Sequence, residues 1–438
     1  MPGRNIREVK VQNSKINRRK FLSTVAAGGA CTFMGPWSHN RVYAQSTAKP
    51  IVIGTTTDAS GQYANSGSSE RRGILMAIAE VNARGGVLGR RVTSVHVDTE
   101  TTPATGSRVA ERMIQQEKCG FLLGGVHSGV ANAISQVAQK YGVVYFNTNS
   151  SSPTEAGQNC HRVKFVWDGN GTNFAKAAIK NSINAFGGKF VLLTNDYVWG
   201  HDTARTTKKQ IAEFGGQVLE EILIPQGTRD FTAALIKIQQ LKPSIVAAAI
   251  GGDDQKAMRQ QVAQLGMSRS PVWINNQQDW PDVYGLPAEN LFGIFGTNWY
   301  HELTLPGVKE FVNKYKAMYS NEVIKVPGNV FYNGYMAARE LFAAIERAGS
   351  TNNIAIIKAL EGHAMKAADR MQHFDAYIDA NTHHVQQTIY LATANARPKD
   401  KDDLFSILAQ AAPKDVIDTD APQACKLESY AATPTFDA

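Results

Sequence analysis

The stretch GFLLGGVHSGVANAISQVAQKYGVVYFN, residues 120–147, holds one complete structural repeat. Phe121, Leu122 and Leu123 begin an apolar run that stops at Gly124 and Gly125, as a buried strand does. From Ser128 to Lys140 the apolar residues return at helical spacing, and the run 142–147 is again strand-like. A strand that is returned to its sheet by a helix specifies a parallel pair, the unit of a doubly wound α/β layer.

The unit recurs in both directions. Upstream lie IVIGTTT (51–57), a helix in SERRGILMAIAEVNARGG with Ile74, Ala77, Ile78 and Val81 on one face, then RVTSVHVD and a helix over 104–118. Downstream come a helix over 172–186, KFVLLTN, a helix over 201–214, GQVLEEILI, a helix over 231–241 capped by Asp230, SIVAAAI, a helix over 255–265, and PVWIN. Two successive sets of four or five such units, each the size of a domain, predict two similar Rossmann-like lobes. One more strand is expected at 291–297, mostly helix over 307–362, late strands around 371–378 and 387–393, and then an irregular tail.

A chain of 438 residues suggests two or three domains, and its charge of +8 invites a nucleic-acid partner. The charge is local, however. Residues 1–44 hold eight basic side chains against Glu8 and carry +7, leaving +1 for the rest, which excludes a polyanion partner. This basic end has the anatomy of an export signal: charges, the weakly apolar FLSTVAAGGACTFMG, and a small-x-small site ending at Ala44. NRRKFL resembles a twin-arginine signal, with Asn17 where Ser or Thr is commoner. Cys31 offers a lipidation site, but Gly28 stands where such sites carry Leu. No other stretch reaches the roughly 18 apolar residues of a membrane span. The mature chain is therefore expected in the periplasm, without insertion into the membrane. It keeps Cys119, Cys160 and Cys425, of which two can pair, with the choice open.

Ligands of open parallel sheets bind beyond the carboxyl ends of the strands. Here those ends are polar: DASGQYANSG, VHSG, NTNSSS, NDYVWG, GGDDQ and INNQQDW. Ser128 sits where a helix N-cap belongs, so the amides of Ser128, Gly129 and Val130 are expected to be free, an arrangement suited to a carboxylate. Asn149, Ser150 and Ser151 would face it as a donor-rich clamp. Asp253 and Asp254 open another helix, where they either cap it or meet a ligand's ammonium or amide. Tyr63, Tyr197, Trp199 and Trp280 are candidate aromatic walls. For catalysis, GVHSG places Ser128 at a strand-to-helix turn, but His127 occupies the serine position of the G-x-S-x-G elbow. His383 and His384 are adjacent and lack spaced partners, and no CxxC, HExxH or phosphate loop occurs, so neither metal nor cofactor is expected.

With GVLGRRVTSVHVDTETTPATGSRVAERMI (86–114), GGVHSGVANAI, NDYVWGHD, GTRDFTAALIKI and GGDDQKAMRQQVAQLG, the chain resembles the periplasmic substrate-binding proteins of ABC importers, of the branched-chain amino acid and amide class. The likeness covers nearly all of residues 50–395. It implies a type I bilobal fold with three crossovers, lobe I being 45–168 plus 298–372 and lobe II being 169–297 plus 373–438. It also implies closure on a small solute by hinge bending, delivery to a membrane ABC permease, and no reaction. Carried over by position, the contacts would be Ser66, His127, Ser128, Asn149, Ser150 and Ser151 from lobe I, with Tyr197, Trp199, Asp253 and Gln277 from lobe II. The acid that follows the fifth strand of lobe II in such receptors is replaced by Asn276, Gln277 and Gln278, with Asp279 beyond. Unless Asp253 substitutes, the ligand is expected to be an amide, a urea-like compound or a carboxylate without free ammonium. DAPQACKLESY and NCHRVKFVWD resemble a branch of the family with a late cysteine, which implies a Cys160–Cys425 bridge worth roughly 2–4 kcal/mol. A sensor docking on a signalling partner and a secreted hydrolase using Ser128 are the alternatives.

Overall fold

The computed structural model describes residues 48–430, so the expected export signal and Cys31 lie outside the described residues. The first sheet is built from β1 (Ile51–Thr55), β2 (Val92–His96), β3 (Phe121–Leu123), β4 (Val144–Asn147) and β5 (Lys164–Val166), in the order β2-β1-β3-β4-β5. Every neighbouring pair is parallel. The chain then enters a second sheet through β6 (Lys189–Asn195), β7 (Gln217–Ile224), β8 (Ile245–Ala249), β9 (Val272–Asn275) and β10 (Ile294–Thr297). It returns to the first lobe in the helix Asn329–Ala348, which packs along the helix Ala64–Ala83. A small antiparallel sheet of β11 (Ala364–Met365), β12 (Ala376–Ile378) and β13 (Val385–Gln386) precedes a third crossing into β14 (Ile389–Ala394) and β15 (Phe405–Ala411). The second sheet runs β15-β14-β10-β9-β8-β6-β7 and is mixed, because β14 and β15 join antiparallel at one edge. The molecule is thus two Rossmann-like lobes joined by three crossovers.

Apolar periodicity accounts for the cores. Ile51 and Ile53 of β1, Phe121 and Leu123 of β3, and Ile134 of the following helix are buried in one cluster, and Val191, Leu193, Val246 and Leu235 in another. The two long helices of the first lobe approach through glycines. A Cβ on Gly73 would lie 2.1 Å from Phe331 O, and one on Gly334 would lie 2.4 Å from Glu70 O.

Three expectations need correction. β5 carries Lys164, whose charge is masked by a buried ion pair with Glu155 at 2.7 Å, so this strand lacks the apolar look of its neighbours. The strand expected around 371–378 is reduced to β12, because residues 371–375 form a turn and bend after the one-turn helix Ala367–Arg370. The tail is ordered: after β15, Val416 O accepts from Asn173 Nδ2 at 2.7 Å, Asp418 accepts from Thr172 Oγ1 at 2.9 Å, and Asp420 pairs with Lys209 at 2.6 Å, all on the second lobe. The one-turn helix Ala421–Ala424 leads to Cys425, which is bonded to Cys160 of the first lobe with a Cα separation of 5.6 Å. Beyond it Glu428 accepts from Arg162 N at 2.7 Å, and Tyr430 OH donates to Glu361. Cys119 is free and buried.

Candidate functional site

The carboxyl ends of β1, β3 and β4 face those of β6, β8 and β9 across a cleft whose free volume is about 20 Å³, room for little more than a water molecule while the lobes are shut. Its lining includes Tyr63, Asn149 and Ser151 from the first lobe, and Tyr197, Trp199 and Gln277 from the second, with Asp279 and Asp282 beyond β9. The walls touch directly. Tyr63 OH and Tyr197 OH are 2.6 Å apart, Gln62 Nε2 donates to Gly251 O at 3.1 Å and to Asp254 Oδ2 at 2.9 Å, and Ser151 Oγ donates to Gln277 Oε1. The lobes therefore stand closed on one another.

At the end of β3, Gly124 and Gly125 adopt φ of 130° and 117°, a region that favours glycine, and turn the chain toward the cleft. The helix that follows is capped by His127, not by Ser128: His127 Nδ1 accepts from Val130 N at 3.3 Å, and Ser128 is the first helical residue. The His127 ring stacks on Tyr197 at 4.6 Å, and its Nε2 lies 3.4 Å from Gln226 Oε1. Burial holds its pKa down, at about 4. Ser128 Oγ lies 2.8 Å from Ser150 Oγ, which is also 2.9 Å from Glu155 Oε1. Both nitrogens of His127 are turned to partners other than Ser128, so the His127–Ser128 pair that a hydrolase would need is not formed.

The clamp has the opposite polarity to the one expected. Asn149 Nδ2 donates to Glu70 Oε1 at 2.9 Å, and Asn149 Oδ1 accepts from Asn333 Nδ2 at 2.9 Å. Glu70 also faces the Gly125 amide at 3.4 Å. Ser150 is spent on Ser128 and Glu155, and Ser151 on Gln277. The side-chain donors of Asn149, Ser150 and Ser151 thus meet acceptors of the protein itself.

Asp253 is not brought to the cleft. It is half-buried and pairs with Arg229 at 3.5 Å and Lys256 at 3.9 Å, whereas buried Asp254 turns inward to accept from Gly227 N at 3.1 Å and Asn195 Nδ2 at 3.2 Å. Ser66 lies behind the wall, 3.5 Å from Asp282 Oδ1. Trp280 is buried against Tyr300 and Phe405, outside the lining of the cleft, rather than forming an aromatic wall. His383 meets Glu361 at 2.9 Å and His384 meets Asp168 O at 2.7 Å, so the two imidazoles serve separate partners.

The acids sequence reasoning set aside are the ones present. The one-turn helix Trp280–Val283, opened by Pro281, places Asp279 before it and Asp282 within it. Asp279 Oδ1 accepts from Asn329 Nδ2 at 2.8 Å and Gln277 Nε2 at 3.1 Å; Asp282 Oδ2 accepts from Gly252 N at 2.9 Å. Burial, reinforced by Asp279, lifts Asp282 to about 7, and burial alone raises Asp279. Asp168, which accepts from Gln277 Nε2 at 2.8 Å, and Glu70 are also raised by burial, and Asp58 reaches about 6. The spacing D-W-P-D was visible in the sequence; that its turn aims both carboxylates inward was not. Trp199 Nε1 is buried and has no partner among the described residues.

A family model for periplasmic binding proteins matches residues 50–402. The chain is 24% identical over 316 residues to a Leu/Ile/Val-binding protein homolog of Brucella abortus, covering 71% of this chain and 82% of that one. Among solved structures it is similar to a solute-binding protein of R. palustris in complex with benzoate, with a TM-score of 0.74, 22% identity, and coverage of 85% of this chain and 99% of that one. It is also similar to a leucine-, isoleucine-, valine-, threonine- and alanine-binding protein of Brucella ovis in a closed conformation, with a TM-score of 0.76, 19% identity, and coverage of 87% and 100%.

Proposed function

Because the chain belongs to the periplasmic binding protein family, we propose that it is a periplasmic solute receptor that closes two lobes on a small polar organic molecule and delivers it to a membrane ABC permease. Among the described residues no helix is long and apolar enough to cross a membrane. Residues 1–44 act as the export signal of twin-arginine type on this proposal. On this proposal lobe I comprises 45–168 plus 298–386, since the small sheet is bridged to β5 at Val166 and His384, and lobe II comprises 169–297 plus 387–438, with Cys425–Tyr430 resting on lobe I. The ligand stays chemically unchanged.

The observation that carries this proposal is the cleft itself: it lies at the carboxyl ends of two parallel sheets, it is polar and small, and its walls exchange hydrogen bonds that solute entry must break. Asn149, Ser151, Tyr197, Trp199 and Gln277 are the proposed contacts, joined by Tyr63, Asp279 and Asp282. Names of relatives span branched-chain amino acids and benzoate, so membership alone leaves the ligand class open. Native mass spectrometry of the mature protein, followed by a thermal-shift panel of amino acids, amides, ureas, amines and aromatic acids, tests the proposal. A ligand at 100 times its Kd should stabilise by about 2.7 kcal/mol. A protein that carries no solute and responds to none, yet binds a signalling partner unliganded, would refute it.

A further inference from the structure

Resting on the receptor proposal, we infer that the cleft selects a ligand whose head group is an N–H donor and which bears no carboxylate: an amine, amidine or guanidine, or a neutral amide or urea. The inference comes from counting what the walls have left to offer. Asp279 and Asp282 are the ionisable acids of the lining, and no Lys or Arg stands among the lining residues. The cations outside it are engaged, Arg229 at 3.5 Å and Lys256 at 3.9 Å from Asp253.

Donors within each wall serve acceptors of the same protein: Asn149 Nδ2 serves Glu70, and Gln277 Nε2 serves Asp168 at 2.8 Å and Asp279 at 3.1 Å. Ser151 Oγ, released from Gln277 Oε1 when a solute parts the walls, frees an acceptor along with itself. At the helix N-terminus below Val126, His127 Nδ1 takes up the Val130 amide. A carboxylate entering this site would face two acids in a low-dielectric cleft, with the Trp199 indole N–H and the hydroxyl proton left over from the Tyr63–Tyr197 pair as side-chain donors. An N–H donor head group would instead meet Asp279 and Asp282, both of which line the cleft. Tyr63, Tyr197 and Trp199 would cover its apolar part, a combination that suits cations in particular. In amino-acid terms, the site is built for the amino end without the acid end.

The test uses the full mature chain and sets of compounds on one skeleton: benzylamine, benzamidine, benzamide and benzoate; isoamylamine, isovaleramide, leucine and isovalerate. Calorimetric affinities should favour an N–H donor compound over the carboxylate and the zwitterion of its own set by tenfold or more. Equal or tighter binding of a carboxylate or of leucine overturns the inference while leaving the receptor proposal standing. If no member binds, the solute released from protein purified out of its own cells decides: a carboxylate-free N–H donor supports the inference, an acid overturns it, and no solute at all ends the receptor proposal and the inference together. Asp279→Asn and Asp282→Asn, checked for folding by circular dichroism, should lower affinity for the amines at least tenfold and shift the amine-to-carboxylate ratio toward the carboxylate. A uniform loss across each set would mark the two acids as structural and overturn their assignment.

Discussion

Asp282 illustrates how a binding group works against the fold that holds it. Its folded pKa of about 7 stands above the ordinary carboxylate value, so burial favours the protonated form. The sign follows: this contribution to stability is full below pH 4 and is lost as pH rises through about 7. Of the groups facing Asp282, Asp279 and Asp253 add to burial, while Lys256, the Gly252 amide and Ser66 offset it incompletely. Asp282→Asn should therefore stabilise the ligand-free protein at pH 8 by roughly 1–2 kcal/mol, with little effect at pH 4, as melting temperatures from thermal scans at the two pH values would show. Equal effects at both would refute it. Lys164 is the reverse case. It is buried with Glu155 as a pair, and Lys164→Met would strand the carboxylate, at a cost of about 3–5 kcal/mol in urea unfolding. Neither group announces itself in the sequence, because a lysine in a strand and an aspartate after a proline look like surface residues until their surroundings are known.

At the scale of elements, the contact between the helices Ala64–Ala83 and Asn329–Ala348 is set by backbone meeting backbone. Gly73→Ala places a methyl 2.1 Å from Phe331 O, which no rotamer relieves, and should cost about 1–3 kcal/mol in denaturant unfolding. Because Glu70 lies on the same helix and holds Asn149, spreading the helices should also weaken ligand binding, measurable on the same protein by calorimetry. The alternation of strand and helix through β1–β4 and β6–β9 was legible because each strand is a short apolar run ended by glycine or amides. β5 was not, since three residues flanked by Arg162 and containing Lys164 give no periodicity. β15 was not, because it follows the charged run RPKDKDD and half of it faces solvent. Five of the expected contacts do line the cleft: Asn149, Ser151, Tyr197, Trp199 and Gln277. Which of their hydrogen-bond sites remain for a ligand depends on partners such as Glu70 and Asn333, 79 and 184 positions from Asn149, and no local pattern carries that.

For the whole molecule, the path of the tail has a mechanical consequence. Asp420 is held on one lobe by Lys209 and Cys425 on the other by a covalent bond, with five residues of reach between them. Pulled straight, five residues extend to about 18 Å, and in the present helical turn they rise only about 1.5 Å each. Unwinding Ala421–Ala424 thus pays out about 10 Å in all and then goes taut, like a door chain that lets a caller's hand through but not the caller. Scattering from the ligand-free protein should show a larger radius of gyration in Cys160→Ser/Cys425→Ser, and also when eight Gly-Ser residues are inserted after Asp420 with the bridge intact. Unchanged dimensions in the lengthened chain would mean that the bridge merely pins the tail. The chain's length, set by the residues between two anchors, would then fix the largest solute that can pass in.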